Sequence, residues 1–90
     1  MDTQNLREQL EQLHRELQQV RPVKDTDRRT LQQLMADIKV LLEQRDGYPM
    51  EKYSGLAERL KEGVAQLEAS HPTVTMLMGQ TIEMLAKMGI

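Results

Sequence analysis

The most apolar stretch of the chain is its last twenty residues, His71–Ile90. If this stretch is wound at about 100° per residue, its large apolar side chains fall within one arc roughly 160° wide. These side chains are Val74, Leu77, Met78, Ile82, Met84, Leu85 and Met88. So wide an arc predicts a central helix that contacts more than one neighbour, with Leu77, Ile82 and Leu85 nearly fully buried.

The polar face of this predicted helix carries Gln80, Glu83 and Lys87, and Met76 projects from the same face. Small side chains lie beside the apolar arc; they are Thr75, Gly79 and Ala86. Since small residues allow helices to approach closely, we expect this strip to face Gly63, which lies on the apolar side of the preceding segment.

The first segment, about residues 3–20, places its apolar side chains on a narrow line. Leu6, Leu10, Leu13, Leu17 and Val20 are spaced alternately four and three residues apart. This two-in-seven pattern is typical of a coiled-coil seam and is narrower than the face of a fully docked helix. Two interpretations follow: a zipper for dimerisation or for a partner, or a peripheral helix that packs on its own chain.

Two further helices have clear apolar faces between residues 25 and 69. The second runs to about residue 45 and carries Leu31, Leu34, Met35, Ile38, Leu41 and Leu42. The third begins between Pro49 and Gly55, ends near Ala69, and carries Tyr53, Leu56, Ala57, Leu60, Val64 and Leu67.

Prolines and glycines separate the four segments. Pro22 ends the first helix, and Gly47 with Pro49 marks the break before the third. Pro72 predicts a turn after the third helix, with Ser70 or His71 as the new cap, although one Pro-kinked helix over about residues 54–88 is the alternative. Gly89 suits a left-handed cap at the end of the fourth helix.

The pattern therefore predicts an all-α fold, an antiparallel helical bundle of four short helices, in a single domain over residues 1–90. The formal net charge is −2 and the two signs are interspersed, which disfavours nucleic-acid binding. A polar start and the lack of a long apolar run predict no signal peptide and no membrane span. We therefore expect a cytoplasmic protein with no cofactor.

The chain has no Phe, Trp or Cys, so its core depends on Leu, Met, Val and Ile. A core without large aromatic anchors favours self-association as an added source of stability. We expect a non-enzymatic interaction or structural protein that works through an apolar helical surface and forms a homodimer. The candidate interface residues are Leu6, Leu10, Leu13, Leu17, Met76, Met78 and Met84.

The methionines have two interpretations. Flexible thioether side chains suit adaptable protein binding, but they also fill gaps in a core that lacks aromatic residues. No set of nucleophile, base and orienting residue can be assembled from the sequence, so an enzyme is not expected.

A metal site is the alternative function. The Glu-x-x-His spacing occurs twice, at Glu11/His14 and at Glu68/His71. Pairs of this motif bind metals in carboxylate helical bundles. Here His14 flanks the leucine line and His71 lies at a helix end, so chance spacing in a Glu-rich chain competes with this interpretation.

Three stretches of the sequence are similar to a known family. They are Leu6-Arg7-Glu8-Gln9-Leu10, Glu68-Ala69-Ser70-His71-Pro72-Thr73 and Met88-Gly89-Ile90. With them the chain resembles a family of short, uncharacterised bacterial helical proteins, classed as a domain of unknown function. The resemblance implies a compact helical protein and brings no activity, cofactor or catalytic residue.

Overall fold

The computed structural model describes residues 2–22, 24–43 and 50–89, with side chains over 4–22, 24–43 and 53–89. The described chain forms four helices: α1 (Asp2–Gln19), α2 (Asp25–Glu43), α3 (Met50–Leu67) and α4 (Pro72–Lys87). The all-α prediction is confirmed. Helices α1, α3 and α4 end close to the predicted breaks at Pro22, Pro72 and Gly89, respectively. The predicted break at Gly47 and Pro49 lies outside the described residues.

The helices form an antiparallel bundle in which α1 contacts α2 and α4, and α3 also contacts α2 and α4. The α2–α3 pair shows the direction of the chains, because Thr30 meets Gln66 while Asp37, further along α2, meets Arg59, further back on α3. On the other side, Gln9 of α1 bonds to Leu77 and Thr81 of α4. The radius of gyration of 12.3 Å fits close packing of 90 residues, for which about 12 Å is expected.

The core is built from the apolar faces that the sequence pattern indicates. Each helix contributes leucines, and the side chains that are at most 1% exposed include Leu6, Leu13, Leu34, Ile38, Leu56, Leu60, Leu67, Met78 and Leu85. Burial of such side chains stabilises a fold by about 1.5–3 kcal/mol each. Every described buried side-chain nitrogen or oxygen has a hydrogen-bond partner.

The turn between α3 and α4 follows from Pro72. The amide of His71 donates to the Leu67 carbonyl at 2.8 Å, which closes the end of α3. Pro72 then begins α4, where its missing N–H is not needed. The turn prediction is confirmed and the single kinked helix is excluded. His71 occupies the cap position, although its side chain makes no capping hydrogen bond.

The face of α4 that meets the core differs in part from the predicted one. Leu77 and Leu85 are buried as predicted, whereas Ile82 is only partly buried. Thr81 is fully buried in its place. A threonine can be buried here because its hydroxyl donates to the Leu77 carbonyl at 2.9 Å and so remains hydrogen-bonded.

Gly63 marks a close approach, but not to the predicted strip of small residues. A β-carbon added to Gly63 would lie 3.1 Å from Leu34 Cδ1 and 3.5 Å from the Met78 sulfur. Large side chains from α2 and α4 therefore fill the space that the glycine leaves. The predicted pairing with Gly79 is wrong, because nothing lies within 4 Å of a β-carbon built there.

Candidate protein-binding surface

Five of the seven candidate interface residues lie inside the bundle. Leu6, Leu10, Leu13 and Leu17 are at most 3% exposed, and Met78 is fully buried. The leucine line of α1 packs on its own chain, because α1 lies between α2 and α4 and both cover it. The bundle covers these five side chains, which favours the second interpretation of the leucine line, a helix packed on its own chain, over a zipper.

Met76 and Met84 are the two candidates that reach the surface. Met76 is 58% exposed, and Met84 packs on the edge of the core with part of its side chain free. Only one other large apolar side chain among those described is exposed, Val40 on α2, at 44%. Met76 and Val40 lie on α4 and α2, whose backbones do not approach each other closely.

A line of four residues joins the two methionines along α4. Met76, Gln80, Met84 and Met88 are spaced four residues apart, and we call this line the methionine ridge. Each step of four turns about 40° around the helix and rises about 6 Å, so the line winds about 120° around the helix between Met76 and Met88. It begins at the exposed Met76 and ends at Met88, which is partly buried.

The lower end of the methionine ridge opens into a groove between α1 and α4. The groove has a volume of about 310 Å³ and is lined by Asn5, Met84, Lys87 and Met88. Above it, Gln9 closes the seam between the helices by donating to the Leu77 carbonyl and to Thr81 Oγ1, both at 3.3 Å. The groove is therefore an opening beside the hydrogen-bonded contact between α1 and α4, and Met84 and Met88 form part of its lining.

The polar side chains around the methionine ridge carry both signs of charge. Gln80, Glu83 and Lys87 are exposed on the same side of α4. An amide, a carboxylate and an ammonium group together can donate and accept hydrogen bonds at the rim of a contact. This mixture suits a protein surface better than a polyanion such as nucleic acid.

A second set of polar residues links α2 to α3. Asp27 is only 4% exposed, and Gln66 Nε2 donates to its Oδ1 at 3.1 Å. The Thr30 hydroxyl lies 2.9 Å from Gln66 Oε1, and Arg59 pairs with Asp37 at 2.9 Å. Sequence reasoning missed the buried Asp27, although its position seven residues before Leu34, itself seven before Leu41, places it on the apolar face of α2.

This polar set borders a shallow cavity of about 160 Å³ between the two helices. Its polar groups bond to each other: Gln66 to Asp27 and Thr30, and Arg59 to Asp37. The arrangement holds α2 and α3 in register, and we assign it no ligand.

Gln66→Ala is expected to lower the free energy of unfolding by about 1–3 kcal/mol, because it leaves a buried carboxylate without its donor. Urea unfolding followed by circular dichroism measures the change. Gln80→Ala, at an exposed position on α4, is the matched control and should change stability by less than about 0.5 kcal/mol. Equal stability of the two variants would contradict a structural role for the Asp27–Gln66 bond.

The two Glu-x-x-His pairs are not assembled into a metal site among the described residues. Glu11 and Glu68 are exposed, while His14 and His71 are partly buried on α1 and at the α3–α4 turn. Among the described residues, no three His, Asp or Glu side chains are close enough to hold a metal ion. The structure therefore offers the metal-binding alternative no assembled site there.

The fold and surface define a small four-helix bundle whose described polar clusters bond internally. Among the side chains that the structure describes, the most exposed large apolar one is Met76 on α4. Residues 6–90 match the family described as Domain of unknown function (DUF4404), and the chain belongs to that family. No curated protein and no solved structure matches the chain. Within its described part, no helix is long and apolar enough to cross a membrane.

Proposed function

We propose that this protein is a non-enzymatic interaction protein that associates with a second copy of itself through the methionine ridge of α4. The observation that carries the proposal is the exposed Met76 at the head of a line that leads through Met84 into the α1–α4 groove. The leucines of α1 have no part in the contact, because the bundle already covers them.

The shape of the ridge supports a contact between two copies of α4. Side chains four residues apart form the ridges that pack into one another when two helices cross at about −50°. A two-fold contact brings the same ridge from both chains together, so a line of flexible thioethers packs against its own copy. Methionine suits such a contact because its unbranched side chain adapts to an irregular surface.

The small apolar area of the methionine ridge determines how strong the self-association is expected to be. Only Met76 is strongly exposed, while Met84 and Met88 offer part of their side chains. The contact should therefore bury less than about 1,200 Å², the range of weak and reversible complexes. We expect a monomer–dimer equilibrium that depends on concentration, in which the chain is folded both as a monomer and as a dimer.

Met76→Glu is expected to weaken this self-association at least about tenfold, because two carboxylates would meet across the two-fold contact. Sedimentation equilibrium over a range of concentrations measures the dissociation constant. Val40→Glu is the matched control, since it places the same charge at the other exposed apolar position, and it should leave the constant unchanged.

Circular dichroism of both variants should match that of the natural chain, because both positions are on the surface. If Val40→Glu weakens association as much as Met76→Glu, net charge and not the methionine ridge governs the contact. If the natural chain has a mass near 10.4 kDa at every concentration, the proposed function is wrong.

A further inference from the structure

The methionines of α4 differ sharply in their access to solvent. Met76 is 58% exposed, Met84 and Met88 are partly buried, and Met78 is fully buried against Gly63. The chain has no cysteine, so its thioethers are the only sulfur groups that an oxidant can reach. Among the methionines whose side chains the structure describes, the most exposed one therefore lies on the line that we assign to self-association.

We propose that the methionine ridge is a site of reversible oxidation by hydroperoxides, and that its conversion to sulfoxide releases the second copy while the bundle stays folded. The oxidation itself follows from exposure and chemistry alone. The release rests on the proposed self-association.

The reaction is a two-electron oxygen transfer. The thioether sulfur attacks one peroxide oxygen, an S–O bond forms and the O–O bond breaks. The second oxygen leaves with its hydrogen or alkyl group and takes up the proton that the transferred oxygen gives up, which yields the sulfoxide and water or an alcohol. The sulfur is oxidised, the hydroperoxide is reduced, and methionine sulfoxide reductases reverse the change.

Burial sets the order of oxidation within α4. Met76 reacts first because peroxide reaches its sulfur from solvent, and Met84 and Met88 follow from the groove beside Asn5. Met78 reacts last, since its sulfur becomes accessible only when the packed bundle opens. The core is thus protected while the surface line is modified.

The sulfoxide changes the surface but not the core. It replaces an apolar sulfur by a strongly polar S=O group, which loses its water when a second chain covers it. At Met76 more than half of the side chain lies outside the bundle, so the intramolecular packing changes little. Oxidation should therefore act on association far more than on folding.

The first test treats the full chain with hydrogen peroxide at a concentration where it is monomeric and follows each methionine by peptide mass spectrometry. We expect Met76 to be oxidised at least about ten times faster than Met78. Equal rates at Met76 and Met78 would overturn the proposal, because exposure would then not select the site.

The second test measures sedimentation equilibrium before and after peroxide, and again after treatment with both methionine sulfoxide reductases, one for each sulfoxide epimer. We expect the dissociation constant to rise about tenfold on oxidation and to return on reduction, with an unchanged circular dichroism spectrum. The control is the triple variant Met76→Leu, Met84→Leu, Met88→Leu, which keeps the apolar volume and every other methionine. Its association should not respond to peroxide.

The outcomes separate the two proposals. If the ridge is oxidised and the dissociation constant stays unchanged, the release is overturned and self-association stands. The same holds if peroxide raises the dissociation constant of the triple leucine variant as much as that of the natural chain. A natural chain that is monomeric before any peroxide is added contradicts the proposed function and, with it, the release. Met76→Gln, which places a polar amide at the same position, should reproduce the oxidised state without peroxide.

Discussion

Leu85→Ala is expected to lower the free energy of unfolding by about 2–5 kcal/mol, a large share of the stability of a domain this small. Leu85 is fully buried near the end of α4. Its truncation removes apolar contact and leaves a cavity in the core. Urea unfolding followed at 222 nm measures the loss.

Lys87→Ala is the control for this prediction, because Lys87 is exposed two residues further along the same helix. It should change the free energy of unfolding by less than about 0.5 kcal/mol. If Leu85→Ala unfolds like the natural chain, α4 does not occupy the centre of the core that the structure assigns to it.

Gly63→Leu is expected to destabilise the bundle by about 1–3 kcal/mol, although leucine is a better helix former than glycine by nearly 1 kcal/mol. The added β-carbon alone would lie 3.1 Å from Leu34 Cδ1 and 3.5 Å from the Met78 sulfur. The rest of the leucine side chain would have to displace both neighbours, and each is at most 1% exposed. Thermal or urea unfolding measures the effect.

Gly55→Leu is the matched control on the same helix, where nothing lies within 4 Å of an added β-carbon. There the gain in helix propensity acts alone, so the variant should be as stable as the natural chain or more stable by up to about 1 kcal/mol. A loss of stability for Gly63→Leu together with no loss for Gly55→Leu would separate the effect of overpacking from that of helix propensity. A gain at both positions would mean that α2, α3 and α4 are not closely packed at Gly63.

Much of the fold follows from local chemistry and could be predicted. Pro72 favours a turn between α3 and α4, and the leucines of α1 and α2 recur at helical spacing over about three turns each. The predicted left-handed cap at Gly89 is also confirmed, since this residue has a φ of 85°. These features depend on residues that lie close together in the sequence.

The burial of Thr81 in preference to Ile82 could not be predicted, because it depends on a partner across the bundle. Hydropathy favours Ile82 over Thr81 for burial, although helical geometry puts Thr81 about 20° from the centre of the apolar arc and Ile82 about 80° away, at its edge. In the fold, Thr81 bonds to the Leu77 carbonyl and to Gln9 of α1, which lets the polar residue take the buried position. Gln9 lies far from α4 in the sequence, so no local pattern carries this information.

The candidate interface residues divide into buried and exposed ones for the same reason. A two-in-seven leucine line fits a zipper between chains and a helix covered by its own chain equally well. The choice depends on how many neighbours surround α1, which the pattern of one helix does not contain. Met76 was correctly placed on the polar face because a single exposed position requires only the period of its own helix.

The most direct test of self-association through the methionine ridge is an isotope-filtered NOE measurement on a mixed sample. One half of the protein carries carbon-13 in the methionine methyl groups and is otherwise deuterated, and the other half is unlabelled. Intermolecular NOEs should appear at the methyl groups of Met76 and Met84 and be absent at Met78, which is fully buried. A concentrated sample without intermolecular NOEs at Met76 and Met84 would contradict the methionine ridge as the contact surface.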